Sequence, residues 1–136
     1  MKETEAISLA APVFLIEDEP AVLAFVRSAL ERNGYSVVCT ESGAEALRLL
    51  EKGDFHGVIS DMSMPGGVDG AQVHAWLAVH RPELARRLVF ITGDMANEAT
   101  AATLLRTGAP CVEKPFRVQD LIAVVEQTMG RGLRHD

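Results

Sequence analysis

The sequence predicts an α/β fold: a doubly wound sheet of five parallel strands with helices on both faces. Five short apolar runs rich in Val, Ile, Leu and Phe recur along the chain, each followed by an amphipathic helical stretch. Neighbouring parallel strands need a crossover, which is right-handed, so successive strand–helix units cover the sheet on both sides. At 136 residues the chain suits one domain with one sheet.

The first strand is expected over Pro12–Ile16 and leads into a helix from about Pro20 to Asn33. Pro20 fits the first helical position, where its missing N–H is harmless, and Gly34 stands just past the end. The second strand, Ser36–Cys39, precedes a helix opening with Ser42-Gly43-Ala44-Glu45. That spacing predicts a capping box in which Ser42 and Glu45 satisfy each other's orphan amides. The third strand, Gly57–Ser60, is followed by Gly66-Gly67 and Asp69-Gly70, turn chemistry that doubles the chain back into a helix from about Ala71 to Val79, stopped before Pro82.

The fourth strand, Leu88–Ile91, leads to a helix over Ala96–Thr107 that is rich in Ala and Thr and closed by Gly108. With few large apolar anchors, this helix is expected to be weakly held. The last pair is Pro110–Val112 and Val118–Met129, with Val118, Leu121, Ile122 and Val125 at core-facing spacing and Gly130 at the stop. Residues 1–11 and 131–136 are expected to be tails or linkers around a domain at 12–130.

Composition excludes several function classes. Hydrophobic content of 48% with 24% charged residues is a globular balance, and only 5% aromatics leaves a core of Val, Leu, Ile and Ala. A net charge of -6 and a pI near 5.2 argue against a nucleic-acid surface, which needs a basic footprint. No apolar stretch approaches the roughly 20 residues of a membrane span. Met1-Lys2-Glu3-Thr4-Glu5 is not a signal peptide, so the chain is expected to be cytoplasmic and to make no membrane contact itself. Cys39 and Cys111 are too far apart for a disulfide framework or a zinc spacing and are expected to pack as small buried residues. His56, His74, His80 and His135 share no ligand spacing, and Trp76 is expected in the core or lining a groove. No phosphate-cradling glycine loop is present, and Ser60 and Ser63 lack a nucleophile elbow.

The chemistry gathers at the strand ends. Val13-Phe14-Leu15-Ile16 ends in Glu17-Asp18, Val58-Ile59-Ser60 in Asp61, Leu88-Val89-Phe90-Ile91 in Thr92-Gly93, and Cys111-Val112-Glu113 runs into Lys114-Pro115. In a doubly wound sheet, ligands bind outside the carboxyl ends of the strands where the strand order reverses. Taken singly, Glu17-Asp18-Glu19 before Pro20 also suits a helix N-terminus, and Thr92-Gly93 also suits a turn. Together, three carboxylates crowded in one pocket repel one another unless a cation joins them, and Mg²⁺ suits such hard oxygen ligands. Asp18 and Asp61 are the expected direct ligands, with Glu17 acting directly or through water and the Ser63 backbone carbonyl completing the set. Phosphoryl transfer needs an in-line nucleophile and charge compensation on the equatorial oxygens. Asp61 supplies the nucleophile, and Lys114 and Thr92 share the oxygens with the metal.

At these residues the chain resembles the receiver, or response-regulator, domain of two-component signalling, from Val13 to Met129. The match rests on Ile16-Glu17-Asp18-Glu19-Pro20, Ser60-Asp61-Met62-Ser63-Met64-Pro65-Gly66-Gly67-Val68-Asp69-Gly70, Ile91-Thr92-Gly93 and Glu113-Lys114-Pro115-Phe116. The resemblance implies a flavodoxin-like receiver fold, Asp61 as phosphoacceptor, Glu17 and Asp18 as the acidic pair for Mg²⁺, Thr92 as switch hydroxyl and Lys114 as the phosphate-pairing lysine. It also implies a cis Lys114–Pro115 peptide, and side chains at Ser63 and Asp94 that tune phosphoryl lifetime, Asp94 by orienting a water or by repelling it. Two features depart from the common pattern. The Pro65–Asp69 turn looks one residue longer, as in receivers fused to hybrid histidine kinases, and Cys111 replaces the aromatic that usually moves with the switch threonine.

The expected function is that of a phosphoacceptor module: it takes a phosphoryl group from the phosphohistidine of a histidine kinase or phosphotransfer domain and switches its surface for a downstream effector. It is expected to have no enzymatic turnover on an external metabolite. Free-standing regulator and receiver of a larger kinase both remain open. The competing readings are a phosphorylation-independent docking module and a small aspartate-based phosphatase. The phosphatase reading is disfavoured by Ser63, which stands where a second acid belongs.

Overall fold

The computed structural model describes residues 11–64 and 66–132. Five parallel strands are ordered β2-β1-β3-β4-β5: β1 Val13–Ile16, β2 Val37–Thr40, β3 Gly57–Asp61, β4 Leu88–Thr92 and β5 Cys111–Glu113. Six helices alternate with them: α1 Pro20–Arg32, α2 Gly43–Lys52, α3 Gly70–His80, α4 Pro82–Ala85, α5 Glu98–Thr107 and α6 Val118–Met129. The predicted α/β sheet with helices on both faces is therefore present, with α4 as an addition.

Alternation along the strands divides the core in two. Val13, Leu15, Ile59, Val89 and Ile91 face α1 and α6, meeting Val26, Leu30, Leu121 and Val125. Phe14, Ile16, Val58, Leu88 and Phe90 face the other layer, where Ala46, Leu50, Val73, Leu77 and Leu84 come from α2, α3 and α4. The strands β1, β3 and β4 are buried throughout, as continuous apolar runs in a parallel sheet should be. The edge strand β2 is not, and Val38 is exposed. Cys39 on β2 and Cys111 on β5 are half-buried and unpaired, because both lie on sheet edges. Both pack against the core as small residues, but the expected burial is only partial.

Several helix starts also differ from the sequence reading. Ser42 caps α2 by accepting from the Glu45 N–H at 3.2 Å, but the box does not close. Glu45 Oε1 takes the Thr40 hydroxyl at 3.2 Å, and the Ser42 N–H turns to Thr40 Oγ1 at 3.4 Å. A complete capping box forms instead at α3, where Asp69 accepts from the Gln72 N–H and Gln72 from the Asp69 N–H, both at 3.0 Å. The helix α5 starts at Glu98 and not at Ala96, because Asn97 caps it by accepting from the N–H groups of Ala99 and Thr100. Only Thr100 and Thr103 of α5 are fully buried, consistent with a weakly held helix.

The Lys114–Pro115 peptide is cis, and Gly66 and Gly67 both take positive φ in the turn before α3. Pro65, in the turn expected to be one residue longer, lies outside the described residues, as do most of the two expected tails and His135. Of the C-terminal stretch, Gly132 is buried, and a Cβ there would collide with the Asn33–Gly34 backbone. Among the described residues no helix is long and apolar enough to cross a membrane.

Candidate functional site

Sheet register decides which strand-end side chains meet. Ile16 is level with Ser60, so Glu17 follows beside Asp61. Asp61 is level with Ile91, and Thr92 with Glu113, which brings Thr92 and then Lys114 to the same rim. Backbone bonds extend the ladder to that rim, with the Met62 N–H donating to Ile91 at 2.7 Å and the Lys114 N–H to Thr92 at 2.8 Å. The order reverses between β1 and β3, so the crevice predicted for a doubly wound sheet opens between Glu17-Asp18 and Asp61.

Carboxylate oxygens of Glu17, Asp18 and Asp61 lie within 4.8 Å of one another. Glu17 is wholly buried and Asp61 is 5% exposed, so their charges are poorly hydrated. The Lys114 ammonium faces three acids: Glu19 Oε1 at 2.8 Å, Asp61 Oδ2 at 3.6 Å and Glu17 Oε1 at 3.7 Å. Asp61 Oδ1 accepts from the Ser63 N–H at 3.4 Å, and Glu17 Oε2 from the Glu19 N–H at 3.0 Å. Thr92 Oγ1 accepts from the Asp94 N–H at 3.1 Å, and Asp94 Oδ1 from the Ala96 N–H at 3.1 Å. Asp18, Glu19, Asp61, Ser63, Thr92, Asp94, Asn97, Thr100 and Lys114 line one open cleft of about 260 Å³.

Burial pushes the Glu17 carboxyl up to about 7; the Glu19 amide works against this, the Asp61 charge adds to it and Lys114 opposes it. Burial also raises Asp61, against the pull of Lys114. Two buried carboxyls held above their ordinary range mark a site short of positive charge. Glu17 Oε1 is buried without a hydrogen-bond donor among the described residues. An all-oxygen cluster with an orphaned carboxylate oxygen fits a hard divalent cation such as Mg²⁺.

All five strand-end residues picked from the sequence, Glu17, Asp18, Asp61, Thr92 and Lys114, reach this rim, and Ser63 and Asp94 line the cleft with four of them. Cys111 does not; it packs, half-buried, against the Phe14 and Phe90 side of the core, and burial, with Glu113 nearby, pushes its thiol up to about 11. The sequence reading missed Glu19, Asn97 and Thr100 as cleft residues. Glu19 stands beside the acidic pair, yet in sequence it reads as a helix-start acid. Asn97 and Thr100 become visible only once Asn97 is known to be the cap of α5.

A parallel sheet of this order, with acids, a hydroxyl and a lysine on its carboxyl rim, is the framework of a signalling receiver. The chain belongs to the response regulator receiver domain family, whose model matches residues 13–126, and it is a receiver domain of two-component signalling. It is 34% identical over 134 residues to the sensor protein GacS of Pseudomonas syringae pv. syringae, a match covering 94% of this chain and 14% of that protein. It is 29% identical over 117 residues to the response regulator receiver protein CpdR of Brucella abortus, covering 86% of this chain and 95% of that one. Among solved structures, a CheY-like receiver domain from Methanospirillum hungatei superposes with a TM-score of 0.78 at 22% identity, covering 88% of this chain and 93% of that one. The receiver domain of sensor histidine kinase PA1611 from Pseudomonas aeruginosa, described with a magnesium ion in its active-site cleft, gives a TM-score of 0.77 at 21% identity, covering 89% and 98%. The relatives thus include both a sensor protein, of which this chain spans a small part, and a regulator that it spans almost completely.

Proposed function

We propose that Asp61 accepts a phosphoryl group from a phosphohistidine, and that Thr92 and Lys114 stabilise the transferred group. The observation that carries this reading is the Asp61 carboxylate, 3.6 Å from the Lys114 ammonium inside the acidic cluster at the switch point of the sheet. An Asp61 oxygen attacks phosphorus in line, the P–N bond breaks, and the electron pair leaves with the imidazole, which is reprotonated from solvent. Asp18, Asp61, Glu17 and the Ser63 carbonyl are the residues that would hold Mg²⁺. The bound ion would supply neutralisation of the carboxylates and of the phosphoryl oxygens. Lys114 and the Thr92 hydroxyl supply preorganised positive charge and a hydrogen bond for the same oxygens. Ser63 and Asp94 flank the approach of water and set the phosphoryl lifetime.

Donor and recipient follow from the family: receiver domains work with histidine kinases or phosphotransfer proteins on one side and effectors on the other. The output travels through Thr92. A shift of its hydroxyl toward the phosphoryl oxygens breaks the hydrogen bond from the Asp94 N–H and moves the loop into α5, a helix whose buried face is only Thr100 and Thr103. Cys111 is too small to act as a swinging ring and keeps its burial in both states. The module works in the cytoplasm and turns over no external metabolite.

Incubation with acetyl phosphate and Mg²⁺ tests the reading. One phosphoryl group is expected on the parent, labile at alkaline pH as an acyl phosphate is, and none on Asp61→Asn. Equal labelling of the variant would remove Asp61 as acceptor.

A further inference from the structure

The Lys114 ammonium is held most closely by a residue outside the acidic trio. Glu19 Oε1 lies 2.8 Å from Lys114 Nζ, a charge-assisted hydrogen bond spanning 95 positions of sequence, whereas Asp61 and Glu17 stand at 3.6 and 3.7 Å. Glu19 occupies the N-cap of α1, but its side chain makes no capping bond. Pro20 removes the N–H at the first helical position and keeps Glu19 extended, with φ -91° and ψ 115°. The carboxylate, making no bond to the helix, is exposed and seated on the cleft wall beside Lys114.

Resting on the reading of Asp61 as acceptor and Lys114 as its phosphate-pairing partner, we propose that Glu19 is a positioning residue that latches Lys114 in the unphosphorylated state and sets how fast the phosphoryl group is captured. An ammonium donating its best-formed hydrogen bond to Glu19 must give up that bond, or stretch it, to meet the oxygens of an arriving phosphoryl group. The same carboxylate, on the wall of an open cleft, opposes entry of a phosphate anion. Once phosphorylated, Lys114 engages the phosphoryl oxygens and Glu19 turns out to solvent, which its exposed position permits. Glu19 therefore slows formation of the acyl phosphate and leaves its decay unaltered.

The split between formation and decay separates this role from a merely structural one, and two variants separate a latch from plain charge. Glu19→Gln removes the charge at constant shape. Glu19→Asp keeps the charge but is one methylene shorter and favours capping of α1, so it releases Lys114. Rates of labelling by acetyl phosphate at saturating Mg²⁺, and of decay after donor removal, would be measured for parent, both variants and Asp61→Asn, with folding checked by circular dichroism. The latch predicts labelling at least about threefold faster in both Glu19 variants, a barrier lowered by ~0.7 kcal/mol or more, with half-lives within about twofold of the parent. Acceleration in Glu19→Gln alone would show repulsion without a latch, and no acceleration in either would show an idle surface ion pair; each result overturns the proposal. If the parent takes no label, or Asp61→Asn labels equally, the acceptor reading itself fails and the latch with it.

Discussion

Replacing Glu17 by Gln tests the electrostatics of the site without any phosphodonor. Folded Glu17 keeps its proton up to about 7, against 4.5 for the ordinary carboxyl, because it is buried beside Asp61. Between those values the folded protein binds a proton that the unfolded chain has released, so stability falls as pH rises through this window. At about 1.4 kcal/mol per unit, the gap corresponds to about 3 kcal/mol lost by the metal-free parent. Glu17→Gln cannot ionise, and its amide oxygen can still accept the Glu19 N–H that Glu17 Oε2 accepts now. Parent and variant are therefore expected to be equally stable near pH 3.5, below both values, and the variant more stable by about 3 kcal/mol near pH 8, if Mg²⁺ is withheld. Urea titrations followed by circular dichroism read this as a midpoint difference of about 1–3 M, for slopes of about 1–3 kcal/mol per M. Adding Mg²⁺ near pH 8 should raise the parent's midpoint far more than the variant's, because a cation that binds only the folded carboxylates adds its binding energy to stability. Parallel pH curves for the two proteins would refute the argument, since they would show that Glu17 is not held above its ordinary range.

Three further changes act on other parts of the site. Asp18→Asn is expected to weaken Mg²⁺ binding at least about tenfold and to stop acetyl-phosphate labelling while leaving the metal-free fold as stable as before, since removing one of three crowded carboxylates relieves repulsion; Trp76 emission during Mg²⁺ titration reads it. Asp94→Ala removes both a cleft charge and the acceptor for the Ala96 N–H, and should change the acyl-phosphate half-life more than about threefold, whereas a half-life equal to the parent's would take Asp94 out of rate control. Gly70→Ala would drive a Cβ into the Asp61 carbonyl oxygen, with Met62 Cα at 3.0 Å behind it. It should cost about 1–3 kcal/mol in thermal unfolding and slow labelling as well, because the displaced carbonyl belongs to the acceptor residue.

Local chemistry was legible in the sequence wherever it followed from position along one element. Glu17, Asp18, Asp61, Thr92 and Lys114 could be singled out because each closes an apolar run, and parallel strands deliver their C-terminal residues to one rim whatever the strand order. The helices α1 and α6 were legible for a similar reason: Pro20, Gly34 and Gly130 act within one turn of the chain. Competition between neighbours was not. Glu45 left the Ser42 N–H because folding brought the Thr40 hydroxyl within reach, and the box closed at Asp69 and Gln72, where both partners were free. The half-burial of Cys39 and Cys111 depended on β2 and β5 being edges, a property of strand order that neither cysteine's surroundings in sequence contain. Glu19 shows the limit most clearly. Its sequence neighbours mark a helix start, but its side chain makes no bond to that helix, and the sheet brought Lys114 to it across 95 positions. Which charged groups arrive at the rim is written along the chain, because burial of the strands dictates that. Which of them hold one another emerges on folding, because a side chain bonds to the best partner within reach, and reach is set by register and packing.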